Sequence, residues 1–292
     1  MGEFLDVLQS SGLLQRSVAA GAMAGIACGV VGSFVVVRRI TYVAGGIAHC
    51  VLGGMGAASY LRAVQGWEWM DPLYGALAAA LLAAGLIGLV SMRYRQREDT
   101  LISALWAVGM AVGVLFMQAT PGYAQDLMSN LFGSVLMVSP GDLWLLGGLT
   151  AVVVAFSLAF YRPLLAVCFD EEHARTRGVP VEAYYLLLLG LTALTVVLLA
   201  RVVGIIMVIA LLTLPVAVAG HWARRLWQMM VLAAVASIAL TFLGQAASYA
   251  RDLPTGPVII VFCGVAYALS FSVMRLRALR RRKRDRLDPD SP

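Results

Sequence analysis

The amino-acid sequence predicts an all-α polytopic membrane protein, with about eight to nine transmembrane helices plus short re-entrant or coupling helices. Its composition is the first reason: 61% of the 292 residues are hydrophobic and 13% are charged, whereas a soluble domain has about 25% charged residues. The second reason is that apolar residues form runs of about 20, the length that crosses a bilayer as a helix. The third is that basic residues gather in alternate loops.

Nine apolar runs are candidate spans. Two neighbouring runs are nearly continuous and are broken only at Arg201 and Gly204, so they are either two spans or one span with a re-entrant piece. Together the runs make residues 1–274 a single transmembrane domain. The nine runs are residues 17–37, 42–61, 73–92, 100–118, 143–160, 183–200, 202–219, 228–249 and 257–274.

The distribution of basic residues predicts the orientation. With the N-terminus outside, 18 of the 22 Lys and Arg residues fall on the cytoplasmic side, as the positive-inside rule requires. The C-terminus is then cytoplasmic, and residues 275–292 are expected to form a basic, disordered tail near anionic headgroups. The net charge of +6 therefore indicates membrane topology and not a nucleic-acid partner.

One outer connection contains a short apolar piece at residues 131–138. Eight residues cannot cross a bilayer, so this piece is expected to be re-entrant, interfacial or packed within protein. The series Gly21, Gly25 and Gly29 in the first run has the small-xxx-small spacing that is typical of close helix packing.

An inner connection has the pattern of a short, well-capped helix at about residues 170–178. Asp170 is a good N-cap, and acidic residues follow it in the first turn. Basic residues fill the last turn, and Gly178 fits the left-handed stop. Such a helix between two spans is predicted to be a docking element, and its residues include Asp170, Glu171, Glu172, His173, Arg175 and Gly178.

One histidine, His49, lies inside an apolar run among Gly45, Gly46 and Gly54. An ionisable side chain at membrane depth is costly and usually marks a functional site. Because imidazole is also a common metal ligand, we predict that His49 is a transient ligand on a transport path. The alternative is a histidine hydrogen-bonded within the helix bundle. The glycines are expected to permit close packing or bending of the helix.

The other candidate residues have weaker patterns. Cys50 follows His49 but points about 100° away on a helix, so a packing role is expected more than ligation. Asp252, at the outer end of a span, either receives the ion there or is a solvated acid. His221 adjoins two arginines, which repel a cation, so we reject it as a ligand. Pro215 is expected to kink its helix, with gating as the alternative.

Several classes of function are excluded by the sequence. Its one lysine, Lys283, is followed by Arg284, so the chain contains no Gly-Lys-Ser/Thr phosphate loop. Any ATP hydrolysis that drives this protein must therefore take place on another subunit. The sequence also has no CxxC pair and no GxSxG or HExxH motif, so we expect a transport subunit and not an enzyme.

Five segments, in this order and spacing, resemble the membrane permease of the ABC-3 family of bacterial zinc, manganese and iron importers. The resemblance covers about residues 14–274. The segments are Val37-Arg38-Arg39 with the following Gly46-Ile47-Ala48-His49 run, residues 123–136 with Leu131-Phe132-Gly133-Ser134, the 169–178 helix, residues 202–217 with Leu214-Pro215, and residues 248–256.

The resemblance implies a permease homodimer in the bacterial cytoplasmic membrane, bound to a dimer of cytoplasmic ABC ATPases and fed by an extracytoplasmic metal-binding protein. It also implies that the 170–178 helix is the coupling helix seated on the ATPase. The cargo would be Zn²⁺ or Mn²⁺, with no permanently bound cofactor.

The chain departs from the family pattern one turn before His49. Many members have Gly-Asp where this chain has Ala44 and Gly45, although a Gly-Gly version exists. An Asp at this position would share a helix face with His49. Since imidazole with little carboxylate suits zinc better than manganese, we expect zinc to be preferred. The alternatives are a permease for a metal chelate or cofactor, a gradient-driven secondary transporter, and a membrane enzyme using His49 as a base.

Overall fold

The computed structural model describes residues 2–93, 98–121, 133 and 138–287, and over these ranges the chain is helical without strands. Side chains are described for 6–93, 99–121, 133, 138–200 and 203–279. The helices are α1 Gly2–Ser10, α2 Gly12–Val37, α3 Thr41–Val64, α4 Pro72–Arg93, α5 Glu98–Ala119, α6 Pro140–Ala159, α7 Tyr161–Phe169, α8 Glu171–Thr176, α9 Val181–Val203, α10 Ile205–Gly220, α11 Leu226–Arg251 and α12 Thr255–Leu287.

Seven described helices, α2, α4, α5, α6, α9, α11 and α12, are long and apolar enough to cross a membrane. Two more, α3 and α10, match the remaining predicted runs. The 24-residue α3 is long enough to span, but its glycines and His49 dilute its hydropathy. The 16-residue α10 is shorter than the roughly 20 residues of a full span. The fold class expected from the sequence, a polytopic helical membrane protein, is confirmed.

The break between α9 and α10 lies where the sequence placed it. Gly204 separates the two helices with φ 89° and ψ 150°, a backbone conformation that residues with a side chain rarely adopt. Val203 and Ile205 on either side are fully buried, so the chain changes direction inside the protein and not in solvent.

Glycines let α2 pack at the centre of the bundle. The Cβ of any side chain at Gly29 would lie 2.5 Å from the backbone nitrogen of Ala234 in α11, and Gly21 and Gly25 also lie directly against that helix. The small-residue series predicted for close packing therefore forms the α2–α11 interface.

The helix that carries His49, α3, is also held by glycine contacts. A Cβ at Gly53 would lie 2.9 Å from the carbonyl oxygen of Gly109 in α5, and Gly54 lies directly against the carbonyl oxygen of Gly75 in α4. These backbone contacts help to bury most residues of α3, including His49.

The sequence also made predictions for one connection and for the C-terminal end. The apolar piece at residues 131–138 lies outside the described residues except at Gly133 and Val138. The sequence predicted disorder from residue 275 onward. This prediction is wrong for residues 275–287, because α12 continues as one helix to Leu287. Residues 275–287 are mainly Arg, Leu and Ala, which are strong helix formers, so the helix propagates beyond the apolar span.

Candidate metal-transit site and docking helix

The imidazole of His49 lies in the middle of α3 and is 7% exposed. It stacks on the indole of Trp106 from α5, with ring centroids 4.5 Å apart and ring planes 27° from parallel. Its Nδ1 is buried and has no hydrogen-bond partner among the described residues. A buried polar atom without a hydrogen-bond partner lowers the free energy of unfolding by about 1–3 kcal/mol. Because folding alone does not favour this arrangement, the nitrogen is a candidate ligand atom.

The surroundings of His49 are poor in other metal ligands. Among the residues that the structure describes, no group of three or more His, Cys, Asp or Glu side chains comes together. A structural zinc site uses four such ligands, and the described residues do not supply that set around His49. A single imidazole is compatible with weak, transient binding, which a transport path requires.

Cys50, the residue after His49, contacts α5. Its thiol contacts α5, where Sγ donates to the carbonyl oxygen of Leu105 at 3.5 Å, and its backbone lies against Gly109. The side chain of Cys50 therefore packs α3 on α5.

Asp252 lies at the far end of α11, where it ends the helix in the left-handed conformation, with φ 51° and ψ 43°. Its side chain is exposed. The turn beside it is held by the hydroxyl of Ser248, which bonds the carbonyl oxygen of Leu253 and lies 2.9 Å from the hydroxyl of Thr255. No hydrogen bond or ion pair of the described residues joins Asp252 to His49, so the two predicted ligands are separate.

His221, rejected as a ligand, has a structural role. Its Nδ1 lies 2.8 Å from the hydroxyl of Ser270, and its ring stacks near Tyr267 with centroids 6.1 Å apart. One residue later, Trp222 lies under the guanidinium of Arg277 at 4.6 Å. These contacts attach the end of α10 to α12.

A cavity of about 440 Å³ opens beside the His49 site. Trp106 and Gly45 line it, and the indole stands between the cavity and the imidazole. Tyr42, also on the lining, stacks near Trp106 with centroids 5.6 Å apart and its hydroxyl lies 2.6 Å from that of Ser103. Trp106 could not be identified as a site residue from the sequence, since a tryptophan in an apolar run does not differ from an ordinary packing residue.

The predicted docking helix is present as α8, with the caps that the sequence indicated. The Asp170 carboxylate accepts the backbone N–H of His173 at 2.9 Å. At the other end Gly178 has φ 77°, and its N–H bonds the carbonyl of Arg175 at 3.0 Å while that of Val179 bonds Ala174 at 3.1 Å. This pair of bonds is the Schellman motif.

The docking helix is attached to the end of α2 through Arg38. Its guanidinium donates to Glu171 at 2.6 Å and to the carbonyl oxygen of Val167 at 3.0 Å, and it lies over the ring of Tyr185 at 5.6 Å. Glu171 also accepts from Arg175 at 3.2 Å. The sequence placed Arg38 and Glu171 in separate segments, and only the fold brings them together.

The surface around the docking helix α8 is accessible. Phe169 is 67% exposed, although it is a large apolar residue, and Glu172 and His173 are also exposed. Beside them lies a groove of about 830 Å³ that is lined mainly by apolar residues, and its charged lining residues are Arg162, Asp170, Arg224 and Arg225. An exposed aromatic beside an apolar groove is typical of a protein–protein contact.

The fold and the buried imidazole define the class: a polytopic helical membrane protein with the features of a transporter. The chain matches the model of the ABC 3 transport family over residues 10–274, and it belongs to that family.

Named relatives and a solved structure agree. The chain is 40% identical over 263 residues to a "Probable metal transport system membrane protein" of Chlamydia trachomatis, covering 90% of this chain and 89% of the relative. It is 34% identical to the "Manganese transport system membrane protein MntC" of Halalkalibacterium halodurans, covering 92% and 89%. It resembles the structure "PsaBC from Streptococcus pneumoniae in complex with Fab", with a TM-score of 0.82, 29% identity, and coverage of 92% and 95%.

Proposed function

We propose that this chain is the membrane permease subunit of an ATP-driven importer of divalent transition metal ions, with zinc preferred over manganese. The observation that carries the proposal is His49, a buried imidazole of α3 whose Nδ1 has no hydrogen-bond partner among the described residues. Relatives named for metal and manganese transport support the class of cargo. The preference for zinc rests on the chemistry of imidazole without a neighbouring carboxylate.

ATP hydrolysis is assigned to a dimer of cytoplasmic ABC ATPases that docks at α8. The chain itself has no phosphate-binding loop, since its one lysine precedes an arginine. The ATPase would offer an apolar contact flanked by carboxylates. Such a surface fits the exposed Phe169 and the groove beside α8, which the three arginines help to line. Arg38 then carries motion between the docked ATPase and α2 through its bonds to Glu171 and Val167.

The remaining parts of the assembly follow the family. Two copies of the permease form a homodimer in the bacterial cytoplasmic membrane, with N-termini outside and C-termini inside. An extracytoplasmic metal-binding protein delivers the ion at the outer face, where Asp252 supplies a carboxylate. The ion then passes His49 and leaves on the inner side, and no ion stays bound as a cofactor.

Two alternatives have less support. A chelate needs a wide polar cavity, but the cavity beside His49 is lined mainly by apolar and aromatic residues. The chain is 16% identical to the structure "An inward-facing conformation of a putative metal-chelate type ABC transporter". At this identity the likeness supports a shared fold and not a shared cargo. A gradient-driven transporter needs carboxylates inside the spans, whereas no Asp or Glu lies within the interior of a described spanning helix.

The test is cellular metal content, measured by mass spectrometry under zinc or manganese limitation. Cells lacking the chain are compared with cells that carry it or its His49→Ala variant at equal expression. Loss of one metal in the deletion and in His49→Ala supports the proposal. Unchanged contents of both metals in the deletion would reject metal import. A matched control is Cys50→Ser on the next residue, which should keep import.

A further inference from the structure

Trp106 covers the face of α3 that carries His49. Its indole, half-buried on α5, lies nearly parallel to the imidazole, with the two ring centroids 4.5 Å apart. Tyr42 lies on the same indole at 5.6 Å. Stacking covers the face of the imidazole and not the in-plane lone pair of a ring nitrogen, so the indole itself does not occupy the binding direction of Nδ1, which has no hydrogen-bond partner among the described residues.

Gly45 lies one turn before His49 on the same helix face, and it lies against the same indole. A Cβ at Gly45 would be 2.5 Å from Cζ3 of Trp106, 3.0 Å from Cη2 and 3.3 Å from Cε3. Carbon atoms without a bond between them do not approach to 2.5 Å, because van der Waals contact lies at about 3.5–4.0 Å. The indole therefore occupies the space of any side chain at position 45.

We propose that Trp106 is a specificity-determining residue. Its indole fills the position from which a carboxylate would join His49, and the site therefore favours zinc over manganese. The inference rests on the proposed function, in which His49 binds the ion in transit. Carboxylate and water oxygens suit Mn²⁺, whereas imidazole suits Zn²⁺. The indole face also attracts a cationic imidazole–metal group through its quadrupole, without adding the negative charge that a carboxylate brings.

The first experiment measures the contact between Trp106 and Gly45 in the purified full-length protein. Thermal unfolding is followed for Gly45→Ala, Trp106→Leu and the double variant. Gly45→Ala alone should lower Tm by several degrees, and the same change should cost little in the Trp106→Leu background, since the smaller side chain leaves room for the methyl group. Equal losses in both backgrounds would overturn the proposal.

Gly190→Ala is the matched control for this experiment. Gly190 is also inside a helix, α9, but a Cβ there would meet nothing within 4 Å. Alanine has the higher helix propensity, so this variant should unfold no earlier than the parent. A loss of Tm as large as that of Gly45→Ala would mean that the effect is not specific to the indole, and would also overturn the proposal.

The second experiment measures selectivity. Cells accumulate zinc and manganese from a mixture of both through Trp106→Leu, Gly45→Asp/Trp106→Leu or Gly45→Asn/Trp106→Leu, and the metals are measured by mass spectrometry. The Asp double variant should raise the ratio of manganese to zinc several-fold over Trp106→Leu. The Asn double variant, which has the same shape without the charge, should not. Equal ratios in the two double variants would overturn the proposal.

Metal uptake by His49→Ala, taken together with the selectivity experiment, separates this inference from the proposed function. If His49→Ala keeps full import of both metals, the transit role proposed for His49 fails, and the specificity assigned to Trp106 fails with it, whatever the unfolding experiment gives. If His49→Ala loses import while the Asp and Asn double variants have equal selectivity, the proposed function stands and the role of Trp106 alone is rejected.

Discussion

The Arg38 guanidinium at the end of α2 bonds the Glu171 carboxylate of α8 at 2.6 Å, although 133 positions separate the two residues. Both side chains are about one-fifth exposed, so the pair is only partly screened by solvent. The same guanidinium bonds the backbone of α7 at Val167. The spanning helix α2 and the docking helix are therefore joined by a charge-assisted contact, which suits the transmission of motion between them.

Loss of this contact should uncouple ATP hydrolysis from transport. Glu171→Gln keeps the shape of the side chain but removes its charge, and we expect the free energy of unfolding to fall by about 1–3 kcal/mol. In the permease co-purified with its ATPase and reconstituted in vesicles, hydrolysis should continue while metal uptake per ATP falls.

Glu172→Gln is the control for that prediction, because Glu172 lies next to Glu171 but its side chain is exposed. It should keep the ratio of uptake to hydrolysis if the contact with Arg38 is the coupling element. Equal uncoupling by both variants would contradict the assignment and would indicate a general effect of charge on the ATPase contact.

The caps of α8 should matter for docking. Asp170→Ala removes the acceptor for the His173 N–H, at a cost of about 1 kcal/mol, whereas Asp170→Asn keeps an acceptor. We expect the Ala variant to retain less ATPase on co-purification than the Asn variant. Similar retention by both variants would show that the cap does not position the docking helix.

Gly54 should not tolerate a side chain. Because it lies directly against the Gly75 carbonyl of α4, Gly54→Ala must push α3 and α4 apart, and overpacking of this kind costs about 1–3 kcal/mol. Thermal unfolding in detergent measures the loss. Gly85→Ala in α4, where a Cβ would meet nothing within 4 Å, should show no loss, and an equal loss there would contradict the explanation.

Asp252 offers a test of the entry step. Asn also tolerates the left-handed conformation that Asp252 adopts, so Asp252→Asn removes the charge with little strain. If this carboxylate receives the ion, uptake should require a higher external metal concentration while the maximal rate stays the same. An unchanged concentration dependence would reduce Asp252 to a helix cap.

The sequence predicted local features well where the physical signal is local. The caps at Asp170 and Gly178 and the break at Gly204 each depend on the conformational preference of one residue, and each is present. Apolar runs of suitable length likewise predicted the seven described helices that are long and apolar enough to cross a membrane, because a bilayer imposes their length and composition.

Features formed between distant residues were not predictable in this way. The stacking of Trp106 on His49 and the bond of Arg38 to Glu171 depend on how helices pack, and neither residue has a local pattern that names its partner. The extension of α12 to Leu287 was missed for another reason. A run of basic residues was interpreted by its charge, whereas the helix propensity of Arg, Leu and Ala prevailed.

The role of the buried imidazole is tested by metal uptake through His49→Ala and Cys50→Ser, each expressed equally in cells that lack the native chain and are limited for zinc or manganese. The account predicts that His49→Ala loses accumulation of the transported metal, zinc more than manganese, while Cys50→Ser accumulates it as the parent does. Full accumulation of both metals by a correctly folded His49→Ala protein would contradict the account, because the ion would then cross without the imidazole.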